Sequence, residues 1–267
     1  MNPNKQKIIE LFYTNVKGKR SDTSANNQKH DGKDGHWLET QMNIKHNGDN
    51  EPDLYGYEMK NQTTSGKITF GDWQANEYIF IHGRGKNPPR NDTNRNYNLT
   101  RDNFFEIFGK PNEKKNGRLS WSGIPCPTYF NQTSEYGQLL TMDKDENIVI
   151  IYNYEEDKRA NKNELIPSDL KEEDVIIAKW YKESLKLKLE RKFNQQGWFT
   201  CTKNRENIYD AIHFGSPMNY DSWINLFKKK IVFFDSGMFK DSEGKDKPYS
   251  LWRATTGFWH SLITDSH

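Results

Sequence analysis

The pattern of hydrophobic and polar residues predicts two helices near the start of the chain. The first covers residues 1–18, and its apolar side chains share one face: Ile8, Ile9, Leu11 and Phe12. The second covers residues 34–44, where Leu38 and Met42 are four residues apart and Asp34 is a candidate N-cap. A polar segment rich in Ser, Asn, Gly and Asp separates the two helices.

Short runs of β-branched and aromatic residues predict strands further along. They lie at residues 53–61, 77–82, 147–154, 198–202 and 231–234. A helix is predicted over residues 168–193, because apolar side chains recur there every four residues: Ile177, Tyr181, Leu185, Leu189 and Phe193. The stretch LKLKLE inside it also fits a strand. Because strands and helices interleave, we expect an α/β fold with a mixed central sheet flanked by helices.

Composition narrows the class of protein. Only 33% of the residues are hydrophobic, but 8 Trp, 13 Tyr and 15 Phe indicate a folded chain. No apolar run approaches the ~20 residues of a membrane span, and the N-terminus has no signal-peptide pattern. The two cysteines, Cys126 and Cys201, are too few for a disulfide framework or a Cys-rich zinc site. These features predict a cytoplasmic protein with reduced thiols and no membrane partner.

Charge is distributed unevenly, although the net charge is only +2. Residues 82–118 carry nine basic and four acidic side chains, a net of +5, and residues 179–205 carry eight and two, a net of +6. Between them, residues 143–174 carry five and eleven, a net of −6. Two basic stretches that converge in space would suit nucleic acid, whereas solvated charged surface is the simpler interpretation.

The segment from Glu51 to Lys60, EPDLYGYEMK, carries the clearest candidate chemistry. In a strand, alternate side chains share a face, so Glu58 and Lys60 point the same way while Met59 points to the core. Asp53 enters from the preceding turn. Asp53 and Glu58 offer the hard oxygen ligands that Mg²⁺ prefers, and Lys60 would orient an attacking water and offset charge on a phosphate. The segment therefore predicts Mg²⁺-dependent hydrolysis of phosphodiester bonds.

Glu-x-Lys alone is a weak signal, because it occurs at Glu58, Glu113, Glu156, Glu190 and Glu243. Only at Glu58 does Pro-Asp stand five residues ahead in an aromatic, strand-like context. The strongest rival combines Asp145, Glu156 and Lys158, where the glutamate falls in a charged turn. On spacing alone, ordinary turn and surface charge remains an alternative for the Asp53 group.

A family resemblance strengthens the prediction. Pro-Asp followed by Glu-x-Lys resembles the signature of the PD-(D/E)-x-K nucleases. The preceding residues, DGHWLETQMNIKHNGDNEPDLYGYEMK, are similar to the MutH mismatch-repair nickase, and more so to restriction enzymes of the MvaI and BcnI type. The match covers about 30 residues, and RLSWSG and YSLWRA also resemble that restriction family. Met59 replaces a common Leu, and His36 and Trp37 vary positions before Leu-Glu, which leaves the subfamily open.

The resemblance implies a bacterial type II restriction endonuclease that cuts a short duplex DNA site with Mg²⁺. It implies a restriction-endonuclease-like fold of two lobes forming a DNA-binding cleft, with residues 1–165 catalytic and residues 166–267 reading DNA. Lobes that interleave along the chain are the alternative to this division. Glu39 would be an accessory acidic group beside Asp53, Glu58 and Lys60. The resemblance favours a monomer, with a dimer as the alternative, and a DNA methyltransferase as the genetic partner.

The residues that read bases are less sharply indicated. Arg118, Arg253 and His260 are candidates because each lies among aromatics near a predicted loop, and arginine reads guanine well. Phosphate contact or plain surface charge remains the alternative for each. Arg84 and Lys86, in HGRGKNPPR, would contact the DNA backbone unless that segment is an ordinary flexible loop. His213 is a further candidate, although a lone His in an apolar context is usually structural.

Three other functions are compatible with these residues. A strand-specific nickase would share the site and need a partner protein. A sequence-specific DNA-binding protein would bind without cleaving under any divalent ion. An RNA-processing protein would also use basic loops with aromatics.

Overall fold

A computed structural model describes residues 2–22, 33–45, 50–63, 65–80, 97, 99–171, 174–240 and 246–267. The predicted DNA-backbone loop with Arg84 and Lys86 lies outside these residues. In the described part, the helices are α1 (Pro3–Asn15), α2 (Lys33–Gln41), α3 (Arg101–Phe108), α4 (Lys162–Leu165), α5 (Lys182–Phe193), α6 (Tyr220–Lys228) and α7 (Thr256–Ser261). No helix in this part is long and apolar enough to cross a membrane.

The strands follow the same order along the chain. They are β1 (Tyr57–Met59), β2 (Lys67–Asp72), β3 (Glu77–Tyr78), β4 (Lys110–Asn112), β5 (Arg118–Trp121), β6 (Gln132–Thr133), β7 (Tyr136–Met142), β8 (Ile148–Asp157), β9 (Val175–Trp180), β10 (Gly197–Lys203), β11 (Tyr209–Gly215), β12 (Phe233–Lys240), β13 (Asp246–Thr255) and β14 (Ile263–Ser266). They form a four-stranded sheet in the order β1-β10-β11-β14 and two five-stranded sheets, β2-β13-β12-β5-β4 and β3-β9-β8-β7-β6. Strand β1 pairs with β10 in parallel, whereas β10, β11 and β14 pair antiparallel, so the four-stranded sheet is mixed.

The chain divides into two compact units. The first comprises Met1–Thr69, Lys186–Ile224 and Ala254–His267, and the second comprises Phe70–Leu185 and Asn225–Arg253. The predicted domain boundary near residue 165 lies within the second unit. The assignment of catalysis and DNA reading to separate lobes stays a prediction.

The first unit is built on the four-stranded sheet. One face of this sheet packs against α1 and α2, and the buried residues of this core include Ile8, Phe12, Leu38, Met42, Tyr57, Met59, Phe199, Cys201, Ile212 and Phe214. The predicted apolar face of the first helix is confirmed. The second helix is confirmed too, but it begins at Lys33, so Asp34 lies in its first turn and not at an N-cap.

The second unit has a core of large aromatic side chains. Trp180 lies edge-on to Trp252 and Phe234, and Trp121 packs against Phe234 and Phe104. All three tryptophans are fully buried. The aromatic content that indicated a folded chain is therefore concentrated in packed cores.

One predicted element is wrong. Residues 168–193 are not one helix: after a short 3-10 turn at Ser168–Leu170, strand β9 precedes helix α5. The sequence VIIAKW of β9 is rich in β-branched residues, and it pairs with β8 and β3, so tertiary pairing prevails over the four-residue spacing. Only Leu185, Leu189 and Phe193 form the buried face of α5. The predicted strand at residues 53–61 is also shorter, since its first residues form a turn.

Candidate active site

A tight turn presents the first candidate carboxylate. Tyr55 and Gly56 have φ angles of 50° and 83°, and Leu54 and Tyr57 exchange two backbone hydrogen bonds across them. Positive φ at both central residues is the mark of a type I′ turn, and glycine adopts this conformation without steric cost. The turn folds the chain back, so that Asp53 lies beside the strand that follows.

Asp53 is held against that strand by a backbone hydrogen bond. Its Oδ2 accepts from the Met59 N–H at 2.8 Å. Asp53 as a whole residue is exposed, yet the surrounding protein desolvates its carboxyl, and this, with the negative charge of Glu58, raises the pKa of Asp53 to about 7. The charge of Lys60 and the hydrogen bond from Met59 act in the opposite direction. A carboxyl whose pKa is raised by burial and by a second carboxyl is a feature typical of functional sites.

Glu58 and Lys60 form a buried pair on the other face of the sheet from Met59. Glu58 is 2% exposed and Lys60 is 8% exposed, and the Lys60 Nζ lies 2.7 Å from the Glu58 Oε1. Burial lowers the pKa of Lys60, and the charge of Glu58 opposes that shift. The predicted arrangement, with both polar side chains on one face and Met59 in the core, is confirmed.

Helix α5 adds a second ammonium that sequence reasoning missed. The Lys192 Nζ lies 3.1 Å from the same Glu58 Oε1. The same helix also contacts two residues before the turn. The Asn50 Nδ2 donates a hydrogen bond to the Lys188 carbonyl at 2.5 Å, and Arg191 forms an ion pair with Glu51. Helix α5 therefore contacts the chain on both sides of the turn, at Asn50, Glu51 and Glu58.

The carboxylates fit a hard divalent cation. The Glu58 Oε2 is buried and has no hydrogen-bond partner among the described residues, and buried polar atoms seldom lack one without a functional reason. No group of three or more His, Cys, Asp or Glu side chains that could hold a metal occurs in that part of the chain. Carboxylate oxygens such as those of Asp53 and Glu58 are the hard ligands that divalent cations of the Mg²⁺ type take in proteins.

The other predicted residues of the first unit lie on neighbouring elements. Glu39 is on α2, with its Oε2 3.5 Å from the His36 Nδ1, and its accessory role stays a prediction. His260 is on α7, and its Nε2 lies 2.8 Å from the Gln62 Nε2, two residues beyond Lys60. This contact places His260 next to the residues that follow strand β1.

The two predicted arginines belong to the second unit. The Arg118 guanidinium lies 3.5 Å from the centre of the Phe239 ring, and its buried Nε has no hydrogen-bond partner among the described residues. Arg253 donates from its Nη1 to the Asp235 Oδ2 at 2.8 Å. The Arg118 guanidinium is thus stacked on a ring and its Nε makes no hydrogen bond within the described residues, whereas Arg253 forms an ion pair with Asp235.

A polar row crosses the same face of the four-stranded sheet as Glu58. The His213 Nε2 lies 2.9 Å from the Thr202 Oγ1, and its Nδ1 lies 2.8 Å from the Ser266 Oγ. Burial, aided by the charge of His260, lowers the pKa of His213 and favours the neutral ring. The Thr200 Oγ1 is buried without a hydrogen-bond partner in the described part of the chain. The pairing of β10, β11 and β14 brings this row together.

Comparison with known proteins shows the family and the fold of the chain. The chain matches the family of the LlaMI restriction endonuclease over residues 16–267. It is 48% identical over 279 aligned positions to the type II restriction enzyme ScrFI of Lactococcus lactis subsp. cremoris, covering 100% of both proteins. It also resembles the solved structure of the restriction endonuclease MvaI with its cognate DNA substrate, with a TM-score of 0.56, 12% identity, and coverage of 100% of this chain and 98% of that chain. The predicted mixed α/β fold and the predicted restriction-enzyme resemblance are confirmed, and the chain belongs to the LlaMI restriction endonuclease family.

Proposed function

We propose that this protein is a type II restriction endonuclease that hydrolyses both strands of a short, specific duplex DNA site with Mg²⁺. The observation that carries the proposal is the buried Glu58–Lys60 pair, with Asp53 held beside it by a hydrogen bond from the Met59 N–H. Restriction enzymes of this type generally use a divalent metal, and a cognate DNA substrate is bound in the MvaI structure that has a similar fold.

The residues divide the chemistry between them. A cation bound by the carboxylates of Asp53 and Glu58 supplies Lewis acidity at the scissile phosphate. Glu58 also holds the Lys60 ammonium in a fixed place, 2.7 Å from its Oε1. Lys60 orients the attacking water and offsets the negative charge that develops on the phosphate oxygens. Water attacks phosphorus directly, the bond from phosphorus to the 3′ oxygen breaks, and that oxygen leaves and takes up a proton. The products therefore carry 5′-phosphate and 3′-hydroxyl ends.

Recognition of the DNA site is assigned to residues of both units. Stacking on Phe239 orients the planar Arg118 guanidinium, which suits bidentate hydrogen bonds to guanine. Arg253 and His260 are further candidates, and Arg84 and Lys86 would contact the DNA backbone. We propose a monomer that acts on the two strands in turn, in the bacterial cytoplasm, with a methyltransferase that protects the host site.

The test is incubation of purified protein with unmethylated phage DNA and supercoiled plasmid, in Mg²⁺ or chelator, followed by gel electrophoresis and end sequencing. Discrete Mg²⁺-dependent fragments with 5′-phosphate ends are expected. Open circles alone would indicate a nickase that needs a partner. Specific binding with intact DNA under every divalent ion would indicate a non-catalytic DNA-binding protein.

A further inference from the structure

Two ammonium groups share a single oxygen in the candidate active site. The Glu58 Oε1 lies 2.7 Å from the Lys60 Nζ and 3.1 Å from the Lys192 Nζ. Lys60 lies directly after the same strand as Glu58, whereas Lys192 comes from α5. Their exposures also differ: the Lys192 side chain is 17% exposed and that of Lys60 is 9% exposed.

The local charges balance without a metal. When both are ionised, the carboxylates of Asp53 and Glu58 are offset by the ammonium groups of Lys60 and Lys192. A buried carboxylate such as Glu58 needs this compensation, because an uncompensated buried charge is strongly destabilising.

A divalent cation changes this balance. With two further positive charges beside Asp53 and Glu58, four positive charges would face two negative ones. Repulsion between the cation and the ammonium groups then weakens cation binding, and the effect is large at separations of a few ångströms in a partly buried site. Lys60 is required by the proposed chemistry. Lys192 is therefore the ammonium whose contact with Glu58 opposes cation binding without a role in the proposed hydrolysis.

We propose that Lys192 is a built-in counter-ion that competes with the divalent cation for Glu58. This inference rests on the proposed function, since it takes Asp53 and Glu58 as the cation ligands. Lys192 is a positioning residue in this account: it stabilises the metal-free site and raises the cation concentration at which the site fills. Removal of its charge should have two opposite effects, with weaker folding of the metal-free protein and tighter cation binding.

The experiment titrates wild-type protein and the Lys192→Met variant with Tb³⁺, a hard trivalent ion whose luminescence is sensitised by nearby tryptophan. Trp198 is suitably placed, because it is the register partner of Glu58 on β10. The expected result is binding that is about tenfold tighter in Lys192→Met, competed by Mg²⁺. The Mg²⁺ concentration for half-maximal DNA cleavage should fall by a similar factor.

Three controls separate charge from packing. Lys192→Arg keeps the positive charge and should bind Tb³⁺ like the wild type. Lys186→Met removes an exposed lysine from the same helix and should change nothing. Glu58→Gln should abolish Mg²⁺-competed Tb³⁺ binding. Circular dichroism and thermal denaturation establish that each variant is folded, and Lys192→Gln replaces Lys192→Met if the latter is not.

The outcomes distinguish the two proposals. Equal or weaker Tb³⁺ binding by Lys192→Met, or an unchanged Mg²⁺ requirement, overturns the counter-ion role alone if the wild type cleaves DNA. A wild-type protein that neither binds Tb³⁺ in competition with Mg²⁺ nor cleaves DNA with any divalent ion overturns the proposed function itself. If the wild type cleaves DNA but gives no Tb³⁺ signal, the Mg²⁺ concentration for half-maximal cleavage tests the counter-ion role. A lower value for Lys192→Met supports that role, and an equal or higher value overturns it.

Discussion

The Asp53 carboxylate accepts a hydrogen bond from the Met59 N–H at 2.8 Å, which joins the residue before the turn to the strand after it. Met59 stands between Glu58 and Lys60, so this bond brings Asp53 to the polar pair while the Met59 side chain stays in the core. One backbone amide thus links the position of the catalytic groups to the packing of the first unit.

Loss of the Lys60 ammonium should abolish cleavage while DNA binding persists. Lys60→Ala leaves Glu58 with Lys192 as its remaining partner but removes the group that orients the water. We expect at least an about 100-fold fall in the single-turnover cleavage rate, with specific binding by gel shift in Ca²⁺ close to that of the wild type. Loss of binding together with cleavage would show that Lys60 serves DNA affinity instead.

Replacement of Arg118 should relax recognition more than it lowers general affinity. Arg118→Lys keeps the charge but loses the planar fork stacked on Phe239. Specific cleavage should fall roughly 10- to 100-fold, while binding to unrelated duplex DNA is retained. Lys114→Gln, an exposed change near the tip of the same hairpin, is the control and should alter specific cleavage little. Equal losses on specific and unrelated DNA would assign Arg118 to the phosphate backbone.

Two threonines on the same face of β10 form a matched pair for stability. The Thr200 hydroxyl is buried without a hydrogen-bond partner in the described residues, whereas the Thr202 hydroxyl bonds His213 at 2.9 Å. Thr200→Val should leave the free energy of unfolding unchanged or raise it by up to about 1 kcal/mol, and Thr202→Val should lower it by about 1 kcal/mol. Urea denaturation measures both, and the reverse order would contradict this hydrogen-bond assignment.

The ion pair between α1 and β14 should stabilise the protein in a pH-dependent way. The hydrogen bond from Lys5 lowers the pKa of Asp265 to about 2. Because the folded-state pKa is depressed, this stabilisation is complete above the ordinary value near 4 and is lost as the pH falls towards 2. The Asp265 side chain is 40% exposed, so we expect less than about 1 kcal/mol at pH 7.

Chemical denaturation of wild type and Asp265→Asn at pH 7 and pH 3 measures this contribution. The difference between the two midpoints should be present at pH 7 and smaller at pH 3. A difference that grows as the pH falls would contradict the assigned direction of the shift.

The candidate segment from Glu51 to Lys60 was predictable because the pattern that identifies it lies within ten consecutive residues. Strand alternation fixes the shared face of Glu58 and Lys60, and the spacing from Pro-Asp to Glu-x-Lys singles out one of five similar motifs. The rival residues Asp145, Glu156 and Lys158 are all exposed in the folded chain, although Glu156 lies near the end of strand β8 and not in the predicted turn.

Lys192 was not predictable in the same way. It belongs to the Glu-x-Lys motif that begins at Glu190, which the sequence assigns to a charged helix. That assignment is correct, since both residues lie on α5. However, the packing of α5 against the catalytic segment decides that Lys192 faces Glu58, and this packing joins residues that are far apart in the sequence. The same reasoning applies to β9, whose pairing with β8 no local spacing reveals.

The most direct test of the central claim compares wild type with Asp53→Ala on plasmid DNA that carries the recognition site, in Mg²⁺, together with specific binding in Ca²⁺. We expect Asp53→Ala to bind the site but to cleave it at least about 1,000-fold more slowly than the wild type, because one of the two proposed cation ligands is gone. Cleavage by Asp53→Ala at the wild-type rate would contradict the assignment of this site.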